Sequence, residues 1–525
     1  MKKAARLAGI LTMVTVLVLG LAVPASAVSS SPYYPFNYDP YGNPTSAPQG
    51  FMPKETYDYR NFGIAKTITG AEDVFVYTDQ QGVNTIFIAD TANNQVIWLD
   101  ENFKLIKAYT HLTDSEGTYQ ICAPSSVFVK YNKTLKKDEM FICVGGSEIN
   151  PNNNNATGDC YVYTADLDGN VIKKFGDPTD ATVEIDNYKP LSCALDNSGY
   201  LYIRVQACTE GLVVVEYETG RFMTYFGANK VVSNWQTTML LMWKKIFSRS
   251  ASENMRRIVP TELSNFFMDN NGFIYTTTST ADIDPDLRVR KLNALGSNIL
   301  SADPNALVKT TFGTREKVTG NSDTRMIDIH VDDSGIMACL DAELGRVYLY
   351  DRTCTLLTEF GYRTTGSGNT QTGAVFEPVA VDKLGDNYIV LDKRVGTIVV
   401  YEPTYYINML LEADNYYLNG LYVDGESYWR EVIKYDANFA RGYAAIGKSL
   451  LEQEKYQEAL EWLKTGQDRS SYSTAYSEYR TEFLRSNYYW LFPLIAVAII
   501  AFVLLIRFIQ KLLGVKKDKT KLKYE

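Results

Sequence analysis

The residues able to do chemistry are few, and their spacing says more than their number. Glu72, Lys189, Glu262 and Arg325 each stand seven positions ahead of the aspartate of an Asp-x-x-Gly stretch, and Glu377 stands five ahead of Asp382. Three carboxylates and two cations recurring at one place in a repeat would make a polar mouth for a ligand. Glu72, Glu262 and Glu377 also carry the oxygen donors that calcium prefers. The plainer reading is that loops at strand starts are commonly charged. In "IADTANNQV", Asp90, Asn93 and Asn94 fit a calcium site, a catalytic cluster or a turn.

Comparison within the chain decides that last case. Asp341 in "LDAELGRVYLY" and Asp392 in "LDKRVGTIVVY" are each followed six residues later by a β-branched residue, as Val96 follows Asp90. Four residues after each aspartate stands Asn94, Gly345 or Gly396, types that tolerate left-handed backbone. Copies of this kind are what a hairpin turn needs, and a metal site does not need them. "DIDPD", with Asp282, Asp284 and Asp286, begins like a calcium loop but lacks the turn glycine and the later bidentate glutamate, so it reads as a solvated acidic loop. The two histidines, His111 and His330, have no second histidine at ligand spacing, which speaks against histidine-rich metal sites and Ser-His-Asp triads. His330 lies in a strand-like run, "MIDIHVDD", and reads as a packed or hydrogen-bonded strand residue. There is no Walker loop, dinucleotide fingerprint or Gly-x-Ser-x-Gly elbow.

The elements that must position these residues are short strands. Asp-x-x-Gly recurs at Asp79/Gly82, Asp196/Gly199, Asp269/Gly272, Asp332/Gly335 and Asp382/Gly385, each between apolar runs, the pattern of a hairpin. A Phe-Gly pair closes units at Phe175-Gly176, Phe226-Gly227, Phe312-Gly313 and Phe360-Gly361. Self-similarity at roughly 40–50 residues with four strands per unit predicts a β-propeller. The units fall near 71–110, 122–176, 189–227, 259–313, 324–361 and 376–402, which makes six blades. The last supplies three strands before Pro403. Residues 62–69, "FGIAKTIT", are expected to close the ring as its outer strand, removing two sheet edges at once.

"IFIADTANNQVIWLD" resembles the core of an NHL repeat, and the whole is similar to bacterial NHL-type, gluconolactonase-like six-bladed propellers. The match is strong in blade one; blades three to six agree in spacing. "VPTELSNFFMDNNGFIY" and "VRKLNALGSNIL" resemble a membrane-anchored, exported branch of that group. The lactonase-like branch implies a central calcium held by acidic and amide side chains, but its asparagine ligands have no clear counterpart here. Farther on, "YAAIGKSLLEQEKYQEALEWLKTGQD" resembles a tetratricopeptide repeat (TPR). Tyr443, Ile446, Gly447 and Leu450 match its first helix, and Tyr456, Ala459 and Leu463 its second. Gly466 departs from the usual alanine, and the terminal proline is absent. Such a stack implies a peptide-binding surface or a spacer.

The two ends read as export and anchor. Lys2, Lys3 and Arg6 precede an apolar run and "PASA", predicting cleavage after Ala27. From Trp490 to Ile506 there is no charge, enough at ~1.5 Å per residue just to span a bilayer core of roughly 30 Å. Tyr488, Tyr489 and Trp490 form an outer aromatic collar, and Arg507 to Lys523 give a basic cytoplasmic flank. Residues 1–27 and 507–525 contribute +8 together, so the rest carries −17 against −9 for the whole chain, a surface that repels nucleic acid. Seven cysteines lie in the exported part with irregular spacing and no C-x-x-C, so zinc is not indicated. Cys143 and Cys160 flank a polar loop where they could face each other across a hairpin; buried free thiols are the other reading.

The expected organisation is a mainly β protein. A signal peptide (1–27) and an extended segment (28–59) precede a six-bladed propeller (60–402), with 62–69 as closing strand and 234–258 as an amphipathic helical insertion. A TPR-like helical stalk (403–487), a transmembrane helix (488–507) and a basic cytoplasmic tail (508–525) follow. With no catalytic constellation, no catalytic residue and no protein-held metal are assigned. The chain reads as a single-pass cell-membrane protein with its N-terminal domain outside, acting as a binding or scaffold module for a protein or envelope polymer. A calcium-dependent lactonase-like hydrolase and an accessory component of a solute transporter stand as alternatives.

Overall fold

Four of the Asp-x-x-Gly stretches fold identically. Asp79 Oδ1 accepts the amides of Gln81 and Val83 at 2.8 and 2.9 Å, and Gly82 takes φ +82°. Asp196, Asp269 and Asp332 repeat the pattern with Gly199, Gly272 and Gly335. Each turn joins the innermost strand of a blade to its second strand. The innermost strands are Asp73–Thr78, Cys122–Asn132, Pro190–Leu195, Asn265–Met268, Met326–Val331 and Pro378–Leu384. Each heads an antiparallel sheet, and together the sheets form a six-bladed β-propeller. The computed structural model describes residues 35–151, 153, 155–178, 185, 187–228, 261–280, 284–300, 311–314, 324–364 and 373–513. The expected signal peptide, the 234–258 insertion and the basic tail beyond residue 513 lie outside the described residues.

One hydrophobic layer fills each gap between successive blades. On the second strand of blade one, Ile86 and Ile88 pack into the layer shared with blade six, and Phe87 and Ala89 into the layer shared with blade two. Period-2 alternation thus places apolar side chains on both faces, which is why such strands read as unbroken apolar runs.

The ring closes with a different strand from the one expected. Phe51–Asp58 pairs antiparallel with Thr397–Pro403, from Phe51↔Pro403 to Asp58↔Thr397. Residues 62–69 do not pair there. Asp58 ends the extended run with a capping box: its side chain accepts from Arg60, and Asn61 accepts from its amide, starting helix α1 (Tyr59–Phe62). Pro53 is accommodated because this is an outer strand, with a bulge between Pro53 and Glu55. Upstream, Phe36–Tyr38 and Pro44–Ser46 form a small hairpin.

Two further expectations change, and one reading that the sequence left open is decided. Asp382 lies inside the innermost strand of blade six, not at a turn; Leu384 pairs with Asn387 around the turn itself. Among the described residues blade four has three strands, with Ile299 N donating to Lys291 O where an outer strand would run. Its Phe312 is buried against Tyr350 of blade five instead of ending a described strand. Cys143 faces Val162, not Cys160, in the strand register.

After Pro403 come helices α2 (Tyr405–Leu418), α3 (Tyr422–Tyr435), α4 (Ala440–Glu452), α5 (Tyr456–Thr465) and α6 (Arg469–Leu512). Thr404 caps α2 and also holds Gln49 and Gly50. Tyr406, Ile407, Leu410, Trp429 and Ile446 share one core with blades five and six. Gly447 lets α4 and α5 approach: a Cβ there would sit 2.6 Å from Leu463 Cγ. α6 is long and apolar enough to cross a membrane, and Ala475 is its only buried residue.

Candidate functional site: the propeller channel

Strand direction fixes two ends of the ring. Turns between first and second strands, and between third and fourth, lie at one end; the entries to innermost strands and the second-to-third turns lie at the other. The helices attach at the first end. Arg441 of α4 reaches the third-to-fourth turn of blade five, pairing with Asp351 and with Asp414 of α2, and bonding Thr353 and Thr355. The guanidinium and both carboxylates are nearly or wholly buried.

All five mouth residues lie at the opposite, open end, each just ahead of an innermost strand. Glu72 pairs with Lys393, whose own amide donates to the main-chain Glu377 O at 2.9 Å. Lys189 O accepts from Gln206 N at 2.9 Å. Glu262 accepts Ala207 N at 2.8 Å, and Arg325 N donates to Asp341 Oδ1 at 2.9 Å. Glu262, Arg325 and Glu377 are exposed. Among the described residues, no three His, Cys, Asp or Glu side chains are grouped to hold a metal ion.

Asp90, Asp341 and Asp392 are fully buried at the second-to-third turns. Asp392 accepts the amides of Phe376, Glu377 and Arg394; Asp341 accepts those of Arg325 and Glu343; Asp90 holds Asn93 and Gln95. These aspartates staple each turn, and in blades five and six they also staple the strand entry.

Deeper in, a polar belt runs around the channel. Asp73, Ser126, Ser192, Asn265, Asp328 and Ala380 occupy one level of the innermost strands, matched by their pairing with Ala89, Cys143, Arg204, Thr277, Leu340 and Leu391. Neighbouring blades are linked at this level. Ser192 Oγ donates to Asn265 Oδ1 at 3.0 Å, and Asn265 Nδ2 to Asp328 Oδ1 at 2.6 Å. Val381 N donates to Asp328 Oδ2 at 2.7 Å and Val127 N to Asp73 Oδ2 at 3.2 Å. Ala380 breaks the belt between the two carboxylates. One step down lie Phe75, Phe128, Ala194, Phe267, His330 and Asp382. Phe75 and Phe128 meet at 5.3 Å between ring centroids, Phe267 and His330 at 5.0 Å. Asp382 accepts Val76 N at 2.6 Å across the seam between blades six and one, and lies 2.6 Å from His330 Nδ1.

Electrostatics concentrate here. Burial, then the nearby Asp328 charge, pushes the Asp73 carboxyl up to about 7. Burial also raises Asp328, against bonds from Val381, Ile329 and Asn265. Arg204, beside Ser192, is pulled down by burial while Cys143, Glu262, Asp73 and Asp328 favour its charge. The spacing of Ser192, Asn265 and Asp328, each four residues before a turn aspartate, was the sequence signal for this belt. Asp73 escapes it because its strand continues two residues farther before the turn, and Arg204 because it stands on a second strand.

No known protein-family profile and no curated protein sequence matches the chain. The chain aligns with solved structures. Virginiamycin B lyase from Staphylococcus aureus aligns over 67% of this chain and 100% of its own at 10% identity, with TM-score 0.36. The Malassezia sympodialis allergen Mala s 1 covers 67% and 97% at 10% identity and 0.39. PorZ, a surface component of the Porphyromonas gingivalis type-IX secretion system, covers 60% and 37% at 10% identity and 0.28. At TM-scores this low the likenesses carry no argument about this chain.

Proposed function

We propose that this chain is a membrane-anchored binding or scaffold protein of the cell surface, displaying the open end of its propeller to a protein or envelope polymer. The observation that carries this reading is the junction. α2 to α5 share a core with blades five and six, and Arg441 ties α4 to the end of the ring opposite the mouth residues. The ring is therefore held through its back, and among the described residues helices α2 to α5 leave its other end uncovered. Between Ala475 and Trp490, α6 has no buried residue, a rod of about 20 Å at 1.5 Å per residue before the apolar segment. In this reading the helical hairpins are a TPR-like spacer, the blades are NHL-like, residues 488–507 cross the membrane, and the basic tail lies in the cytoplasm.

Protease added to intact cells whose outer wall has been removed tests the arrangement. The propeller should be cleaved while a tag after Glu525 stays protected, and deleting 488–525 should release the protein to the medium. Protection of the propeller, or retention of the truncated chain in the membrane, would contradict it.

A further inference from the structure

The belt carries its charge asymmetrically. Its carboxylates, Asp73 and Asp328, belong to blades one and five and flank blade six, where Ala380 supplies no polar atom. Blade three, opposite blade six in a ring of six, supplies the cation. Arg204 Nε donates to Ser192 Oγ at 3.0 Å, which fixes the side chain against the innermost strand. Among the described residues no carboxylate closes to ion-pair distance on its guanidinium, although Glu262, Asp73 and Asp328 act on it from farther away. A planar fork of N–H donors without an acid partner is preorganised for a carboxylate.

On the other side, Asp328 accepts from Asn265, Val381 and Ile329, and Asp73 accepts from Ser126 and Val127 N. A carboxylate offers about four lone-pair sites, so each retains acceptor capacity. One step down, Phe75 meets Phe128 and Phe267 meets His330, with Ala194 and Asp382 at the same level. Ring faces beside carboxylates favour an organic ammonium.

We propose that the channel waist binds a zwitterion, a free amino acid or the two charged ends of a short peptide, with its carboxylate on Arg204 and its ammonium between Asp73 and Asp328. This names a ligand class for the open end displayed in the proposed function, and depends on that reading only for access. The shape separates it from the alternatives: an anion alone would leave the carboxylate pair unmatched, and a cation alone would leave Arg204 unmatched.

Calorimetric titration of the full chain in detergent with three probes tests this: glycylglycine, N-acetylglycine (carboxylate only) and glycinamide (ammonium only). Glycylglycine should bind saturably at one site, each half-probe at least tenfold more weakly. Arg204→Gln should lower glycylglycine binding to the level of glycinamide, and Arg204→Lys, the milder change, should lower it part-way. Thermal unfolding checks that both variants are folded. The proposal is overturned if glycylglycine gives no saturable heat, if either half-probe binds as well, or if a folded Arg204 variant binds unchanged. A failed titration beside a protease result that upholds the topology would remove the ligand class and leave the display reading standing.

Discussion

Asp73 is the residue whose behaviour follows most directly from its surroundings. A carboxyl raised from 3.8 to about 7 favours the fold below its ordinary value, and that contribution is lost as pH rises through about 7. Asp73→Asn keeps an acceptor for Val127 N but has no charge to bury. Its stability relative to the unsubstituted chain should therefore increase between pH 4 and pH 7.5, read from thermal unfolding at several pH values. A difference that stays flat across that window would show that the charge is not felt. At this scale the sequence was informative where a residue repeats. Asp90 was legible as a turn because Asp341 and Asp392 copy it, and the fold shows all three buried. Arg204 has no copy, and only three-dimensional pairing with Ser192 brings it to the channel.

Helix and strand boundaries obeyed local chemistry more than resemblance. Residues 62–69 look like an outer strand, yet the capping box at Asp58 starts α1 and left-handed Gly63 ends it. The ring is closed by the preceding residues, Phe51–Asp58. Gly447 was legible as a point of helix contact, and the geometry makes it steep: Gly447→Ala should destabilise by about 1–3 kcal/mol through overpacking against Leu463, measured by denaturant unfolding. An unchanged midpoint would mean that α5 yields freely. The Arg441 cluster was not legible, since its members lie 27 and 90 residues apart along the chain. Breaking a buried ion pair costs about 3–5 kcal/mol, so Arg441→Met should bring hydrogen exchange in α2 and α4 well ahead of exchange in the blades. Simultaneous exchange in both would show that the junction does not hold the two parts together.

For the whole molecule, six blades were countable from turn aspartates and Phe-Gly pairs because a propeller repeats its local solutions. Each blade buries both faces, so stability is distributed over six interlayer cores, and the junction on blades five and six adds the helices without touching the channel. The assembly thereby acquires a back, held by helices and leading to an apolar rod, and an open end ringed by Glu72, Lys189, Glu262, Arg325 and Glu377. In the function proposed above, partners bind at this end. The most direct test of that reading places a photo-crosslinking residue in the full-length chain in intact cells, at Glu262 or Arg325 on the open end and at Asn197 or Asn270 in the turns at the back. Discrete adducts from the first two positions and none from the last two are predicted. Adducts confined to Asn197 and Asn270 would contradict the account.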